Sequence, residues 1–312
     1  MNITVEGLVI KSTGSSYWVL PDDSPDVLEC KIKGTFRMQG IRTTNPVVVG
    51  DRVGVEVNEG QLSLITTICD RRNVIIRRAS NLSKQGHILA ANIDLAALVV
   101  TVKHPETSTV FIDRFLASAE SYGVPSVLVF NKTDLYSEED NRYLDALIML
   151  YESLHYTCFK ISALTQQGIE ELRKELEGKI TLLSGNSGVG KSTLLNALLP
   201  DAAVKTGSIS EYHDKGMHTT TFSEMLPLPQ GGFIIDTPGI KGFGLLEVTP
   251  EEAGHYFREI FETSQQCKFY NCTHTHEPGC AVIAAVESLT INPSRYHSYL
   301  SIVEDSVPGK YR

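Results

Sequence analysis

The stretch that most restricts the fold lies at residues 179–199, where an apolar run, KITLLS, meets GNSGVGKS and continues as TLLNALL. A strand that breaks into a glycine-rich loop and re-emerges as a helix is the setting of the G-x-x-x-x-G-K-S phosphate loop. Its glycines let successive backbone N–H groups turn inward around a phosphate, and the helix N-terminus adds positive potential. In that pattern Gly185, Asn186, Ser187, Gly188, Val189, Gly190, Lys191, Ser192 and Thr193 form the phosphate-contacting set. Lys191 reaches the β and γ oxygens, which makes it catalytic as well as binding, and the Ser192 hydroxyl is a ligand for Mg²⁺.

The residues before this loop set the sheet type. Apolar runs at 95–102, 126–131 and 157–162 show little alternation and are separated by helical periodicity at 110–122, 138–154 and 169–177. Such runs belong to parallel strands covered on both faces, so an α/β centre is expected, with its phosphate chemistry at the carboxyl ends of the strands.

Other strand ends carry the rest of the site. Asn131-Lys132-Thr133-Asp134 follows SVLVF. An aspartate carboxylate is acceptor-only, and guanine alone offers the adjacent N1–H and N2–H donors that satisfy both oxygens. Adenine would leave Asp134 with an unpaired oxygen. Lys132 is expected against the purine plane, Asn131 is expected to tie this loop to the phosphate loop, and Ser162-Ala163 to bring a backbone N–H near guanine O6. After GGFII, Asp236-Thr237-Pro238-Gly239 supplies a carboxylate that holds Mg²⁺ through water and, at Gly239, an N–H that senses the γ-phosphate. Between the loops, KGMHTTT at 215–221 has the composition of a switch; Thr220 is favoured as its Mg²⁺-ligating threonine, with Thr219 next.

The order of these motifs is rotated. A familiar small GTPase runs phosphate loop, switch threonine, D-x-x-G, N-K-x-D and Ser-Ala, whereas here N-K-T-D and Ser-Ala come first. Moving the termini of one fold through exposed loops produces that order, so the central domain is expected to be circularly permuted. Whatever follows Gly239 is then covalently attached to the element that moves on γ-phosphate loss. Ile240 stands where many GTPases carry the water-orienting Gln, so another group must assist hydrolysis; His218, beside the switch threonines, is the internal candidate.

Ahead of this domain, β-rich runs at 7–10, 17–20, 27–36, 46–57 and 62–69 are separated by turn signals, which predicts a small five-stranded barrel. The chain carries a formal charge of -9, an acidic balance that argues against a nucleic-acid partner until it is divided by segment. Residues 1–80 hold ten Lys+Arg against nine Asp+Glu, and Lys31, Lys33, Arg37 and Arg42 fall in a stretch without acids. With Tyr17 and Phe36 nearby, that face fits RNA contact by charge and stacking, the alternative being a solvated sheet face with two core aromatics.

Beyond the GTPase motifs, Cys267, Cys272 and Cys280 lie beside His274 and His276 in a polar segment. Three thiolates and one imidazole make the closed tetrahedral set of structural zinc, and spacing alone leaves either histidine eligible. Flanking runs read as three helices around the metal. With 312 residues two or three domains are expected, and no apolar run approaches the ~18 to 20 residues that span a membrane. The opening residues, MNITVEGLVIKSTG, lack a basic n-region and a small-residue cleavage site, so a cytoplasmic location without a membrane partner is the expectation.

Together, GDRV at 50–53, NKTD, SA, GNSGVGKS, GMHTTT, DTPG and C-x4-C-x-H-x5-C resemble the circularly permuted GTPases of the ribosome small subunit-dependent GTPase A family (RsgA/YjeQ/YloQ). The resemblance covers essentially the whole chain. Met217 departs from it, since the family often has Arg or Gln before the switch histidine. What it implies is an OB-fold RNA-binding domain at 1–70, a permuted GTPase domain at 71–245 and an α-helical zinc-binding domain at 246–312, with Cys267, Cys272, His274 and Cys280 as the ligands. The implied role is late maturation of the 30S subunit on 16S rRNA, with GTP hydrolysis to GDP stimulated by that subunit. A monomer is the default. The alternatives are a nucleotide-gated RNA-binding scaffold with negligible turnover, motivated by Ile240, and a free-standing metabolic NTPase.

Overall fold

The computed structural model describes residues 3–33, 46–57, 62–77, 87–199, 223–236 and 248–306. In chain order the elements begin with β1 (Ile3–Ser12), β2 (Tyr17–Pro21), β3 (Leu28–Ile32), β4 (Arg52–Val57), β5 (Ser63–Ile68), β6 (Val74–Arg77) and β7 (His87–Ala91). They continue with β8 (Leu95–Val100), α1 (Thr109–Ser121), β9 (Ser126–Phe130), α2 (Glu138–Ser153), β10 (Thr157–Lys160), α3 (Ile169–Leu176), β11 (Ile180–Ser184) and α4 (Lys191–Leu198). The last are β12 (Ser223–Pro227), β13 (Phe233–Asp236), α5 (Pro250–Ala253), α6 (Arg258–Ser264), α7 (Ala281–Glu287) and α8 (Pro293–Ser306).

These elements gather into two compact units, the first comprising Met1–Ala96, Glu170–Ser184 and Ser192–Gly242. Within it β1 to β5 run in the order β1-β2-β3-β5-β4, and β4 returns to β1 with Ile3 opposite Val57 and Leu8 opposite Arg52. That return closes a five-stranded barrel. Alternation decides what fills it: Tyr17 and Val19 of β2 point inward and join Val9, Cys30, Val47, Val53, Val55 and Ile65. The register of β1 shifts between Val9 and Lys11, and its last two residues pair antiparallel with Ser223 and Glu224 of β12. On its other side β12 pairs with β13, which lies parallel to β11 with Leu182 opposite Ile235.

Two features of this unit differ from the sequence reading. Residues 46–57 were expected as one strand, yet only Arg52–Val57 is one. Pro46 has no N–H for a ladder, Gly50 turns at φ 87, and the Asp51 carboxylate accepts the Val48 N–H at 2.9 Å. Arg71 holds the same carboxylate with two bonds of 2.7 Å, so the buried acid serves as a corner post for the turn. The β6–β7 hairpin was not anticipated at all.

The second unit comprises Ala97–Ile169, Gly185–Lys191 and Phe243–Arg312. Residues 97–100 of β8 fall in this unit and are all buried, as a strand covered on both faces requires, and β9 runs parallel to β10. Ser108 caps α1 by accepting the Phe111 N–H at 3.3 Å, and Ser137 with Asp140 forms a reciprocal capping box on α2. In the C-terminal part, the first expected helix breaks into α5, a 3₁₀ turn at Gly254–Tyr256 and α6, because Phe257 leaves helical geometry at φ -117 and ψ 106. Phe257, Ile260, Val282, Tyr299 and Ile302 pack with Ala117 of α1 into one core.

Candidate functional site

Asn131 follows directly on β9 and is 1% exposed. Its Nδ2 donates to the Val189 carbonyl at 2.9 Å, and its Oδ1 accepts the Ala163 N–H at 3.0 Å. One amide therefore joins the 131–134 loop, the Ser162-Ala163 turn and the phosphate loop. The Ala163 N–H, expected near a base, is donated to Asn131, a link the sequence reading did not include. Tyr136 was missed as well: its hydroxyl donates to the Asn131 carbonyl at 2.6 Å and accepts the Val102 N–H at 2.9 Å. Burial raises the Tyr136 pKa and keeps that hydroxyl protonated.

Lys132 has a left-handed backbone, φ 65, and its Nζ donates to the Gly188 carbonyl at 2.6 Å and the His104 carbonyl at 2.5 Å. Thr133 anchors the loop from behind, its N–H and Oγ1 both donated to the Ile161 carbonyl. Asp134 then sits exposed in a 3₁₀ turn. Ser162 is fully buried; its Oγ accepts the Thr165 N–H at 3.1 Å.

In the phosphate loop Lys191 folds back over its own backbone, its Nζ donating to the Gly185 and Asn186 carbonyls at 2.7 and 2.8 Å. Gly190 explains why the loop tolerates no side chain there: at φ 94 a Cβ would lie 2.5 Å from Asn131 Nδ2. Ser192 and Thr193 occupy the first turn of α4, where N–H groups are free of intrahelical partners. Asp236 closes β13 in register with Leu183, two residues before Gly185.

The second cluster is Cys267, Cys272, His274 and Cys280, whose ligand atoms all lie within 4.8 Å of one another. The Cys267 and Cys280 sulfurs are 3.9 Å apart, and His274 Nδ1 is 3.6 and 3.5 Å from them. A tetrahedron around zinc, with Zn–S of about 2.3 Å and Zn–N of about 2.0 Å, has edges of about 3.8 and 3.5 Å. The donor set and its spacing therefore fit zinc. His276 is not part of it; its Nδ1 contacts Thr275 Oγ1 at 2.8 Å on the surface. Tyr296 and Tyr299 of α8 brace the loop by donating to the His274 and Thr273 carbonyls at 2.6 Å each. Burial favours the protonated form of Glu277, but the hydrogen bonds donated by the Thr273 hydroxyl and by the Thr273 and His276 N–H groups outweigh it and hold the carboxyl well below the usual range.

Residues 68–246 match the RsgA GTPase family and residues 6–65 the RsgA N-terminal domain. Over 308 residues, 99% of either chain, the sequence is 63% identical to the small ribosomal subunit biogenesis GTPase RsgA of Phocaeicola vulgatus. It is 55% identical to the protein of the same name from Porphyromonas gingivalis, again over 99% of both. The chain belongs to the RsgA GTPase family. Among solved structures it resembles YjeQ from Thermotoga maritima, with TM-score 0.80 and 36% identity over 99% of this chain and 100% of that one. It also resembles YloQ, described as a circularly permuted GTPase, with TM-score 0.76 and 27% identity over 98% and 97%.

As an RsgA-family GTPase the chain has the expected barrel, permuted GTPase domain and helical Cys₃His region. No helix among the described residues is long and apolar enough to cross a membrane. Thr220, His218 and Gly239 of the GTPase, and Arg37, Arg42 and Phe36 of the barrel, lie outside the described residues. Lys31 is exposed on β3, and Lys33 is exposed and paired with Glu56 at 3.0 Å. Tyr17 is a correction: at 1% exposure it fills the barrel and cannot stack on a base. On β2 the outward-facing aromatic is Trp18, with the Lys11 ammonium 5.4 Å from its ring centre.

Proposed function

We propose that this chain acts in late maturation of the small ribosomal subunit, binding 16S rRNA and hydrolysing GTP under stimulation by the 30S particle. The observation that carries the reading is the Asn131 amide bridging the base-side and phosphate loops, in a chain 63% identical end to end to a small ribosomal subunit biogenesis GTPase. Asp134 accepts the N1–H and N2–H of guanine, Lys132 and Thr133 line its plane and edge, and the Ser162-Ala163 turn closes the base side. Backbone N–H groups of Gly185 to Gly190 and the first turn of α4, with Ser192 and Thr193, take the phosphates. Lys191 offers its ammonium to the β and γ oxygens, Gly239 reports the γ-phosphate and His218 assists the attacking water. Ser192 and Thr220, with Asp236 through water, would hold Mg²⁺, which would supply charge neutralisation on the phosphates.

In the same reading the domains divide at 1–70, 71–245 and 246–312. Lys31, Lys33, Arg37 and Arg42 contact RNA, zinc on Cys267, Cys272, His274 and Cys280 is structural, and the protein works as a cytoplasmic monomer. GTP turnover with and without purified 30S subunits tests this. Strong stimulation supports it, binding without turnover favours a nucleotide-gated scaffold, and full activity without the subunit points to a free-standing NTPase. His218→Ala should lower kcat with GTP affinity retained; an unchanged kcat removes His218 from the mechanism.

A further inference from the structure

The segment between β8 and α1 lies outside every motif named above, yet it touches two of them. Thr107 donates its N–H to the Thr101 carbonyl at 2.9 Å, and Thr101 returns its N–H to Thr107 Oγ1 at 3.2 Å. The Thr101 hydroxyl donates to the Pro105 carbonyl at 2.5 Å, and both threonines are buried. The segment is thus a bracket closed on itself, with His104 and Pro105 exposed at its tip. A Cβ on Gly188, which has φ 84, would lie 3.3 Å from Pro105 Cδ, so the tip rests against the phosphate loop. The His104 carbonyl takes the Lys132 ammonium that the Gly188 carbonyl also holds.

We infer that His104 is a positioning residue for guanine-nucleotide binding, acting through its main-chain carbonyl to hold Lys132 along the phosphate loop. The inference rests on the guanine-nucleotide reading of the 131–134 and 185–193 loops. A lysine stem has large rotamer freedom, and fixing its ammonium between two carbonyls removes that loss from the binding step. Lys132 Cε lies 3.7 Å from a Cβ built on Gly190, so the fixed stem runs along the loop that the nucleotide must enter. His104, whose carbonyl takes the Lys132 ammonium, adopts φ 60. That left-handed conformation suits Asn or Gly and opposes a β-branched side chain. The identity of residue 104 therefore matters through backbone preference, and the imidazole itself has no part.

The test is dissociation of mant-GDP from the full chain, chased with unlabelled GDP. His104→Val should accelerate release on the order of tenfold, by the left-handed penalty, while His104→Asn stays within about twofold of the parent. On a Lys132→Ala background His104→Val should add less than about twofold, because the group it aims is gone. His104→Thr carries the same backbone penalty and replaces His104→Val if the latter is unstable. Parent-like release by the β-branched variants would overturn the inference. So would equal acceleration by His104→Asn, or full acceleration on the Lys132→Ala background. Failure of the parent chain to bind mant-GDP would instead overturn the nucleotide reading beneath it.

Discussion

Arg295 in α8 and Asp113 in α1, 182 residues apart in the chain, meet with Nη1 2.7 Å from Oδ1 at a point where their side chains are 1% and 0% exposed. Glu259 of α6 takes the other side of the guanidinium at 2.6 Å, and the Tyr151 hydroxyl of α2 donates to the same Asp113 oxygen at 2.9 Å. The guanidinium also lies 4.7 Å from the Phe257 ring centre. Burial raises the Asp113 pKa against the pull of Arg295; burial lowers that of Arg295, but its two carboxylate partners outweigh this and raise it. The C-terminal helices are thereby fastened to α1 and α2 by a buried charge network.

Removing one member of such a network leaves the others buried and uncompensated. Arg295→Met should destabilise the chain by about 3 to 5 kcal/mol, and adding Asp113→Asn should recover part of the loss. Urea unfolding of the single and double variants measures both.

Gly190→Ala introduces a Cβ 2.5 Å from Asn131 Nδ2 at a backbone φ of 94. The amide must move, and with it the links to Val189 and Ala163. Affinity for mant-GDP should fall by more than about tenfold, the strain and the broken bonds adding. Equilibrium fluorescence titration reads the outcome.

Asp134→Asn replaces an acceptor-only group by one that also donates. Preference should pass from guanine to xanthine nucleotides, with GTP affinity falling on the order of a hundredfold. Competition by XDP against mant-GDP decides it, and retained guanine preference would contradict the base-site assignment.

Burial pushes the Cys30 and Cys158 thiols up to about 12, with Glu29 and Glu152 adding to the effect. A raised pKa keeps a thiol protonated, so at pH 8 each holds about one thiolate in ten thousand. Iodoacetamide should label exposed Cys69 first, and labelling of half-buried Cys158 should climb about tenfold per pH unit. Peptide mass spectrometry at pH 7, 8 and 9 follows both.

Zinc removal should unfold the helices that surround the cluster, since Tyr296 and Tyr299 are bonded to its loop and Cys272 and Cys280 belong to its core. Chelation is expected to lower far-UV ellipticity and to add three reactive thiols, Cys267, Cys272 and Cys280. Added Zn²⁺ should restore both signals.

The elements legible in the sequence are those whose signal is local. The apolar run at 180–184 with its glycine loop and helix, and the capped periodic stretch of α2, stand within a residue or two of their expected bounds. Asn131 was legible as a tie between loops because its role follows from motif placement. Tyr136 and the β6–β7 hairpin were not: one is a single aromatic in a turn, the other two short strands without alternation. The Arg295–Asp113 pair had no local signal, since each is one charged residue on an amphipathic helix and only packing brings them together. Tyr17 misled because an aromatic beside lysines reads alike whether it points into a barrel or out of it.

The pairing of β1 with β12 limits how this molecule can be divided. Lys11 and Ser12 lie opposite Glu224 and Ser223, and Lys11 Nζ reaches Glu224 at 3.1 Å. A fragment ending near residue 70 and another beginning there would each carry a bare strand edge cut from the same seam, a template for mispairing. Grafting a different barrel onto this GTPase must preserve that two-residue splice, and the two halves made separately should recognise each other along it.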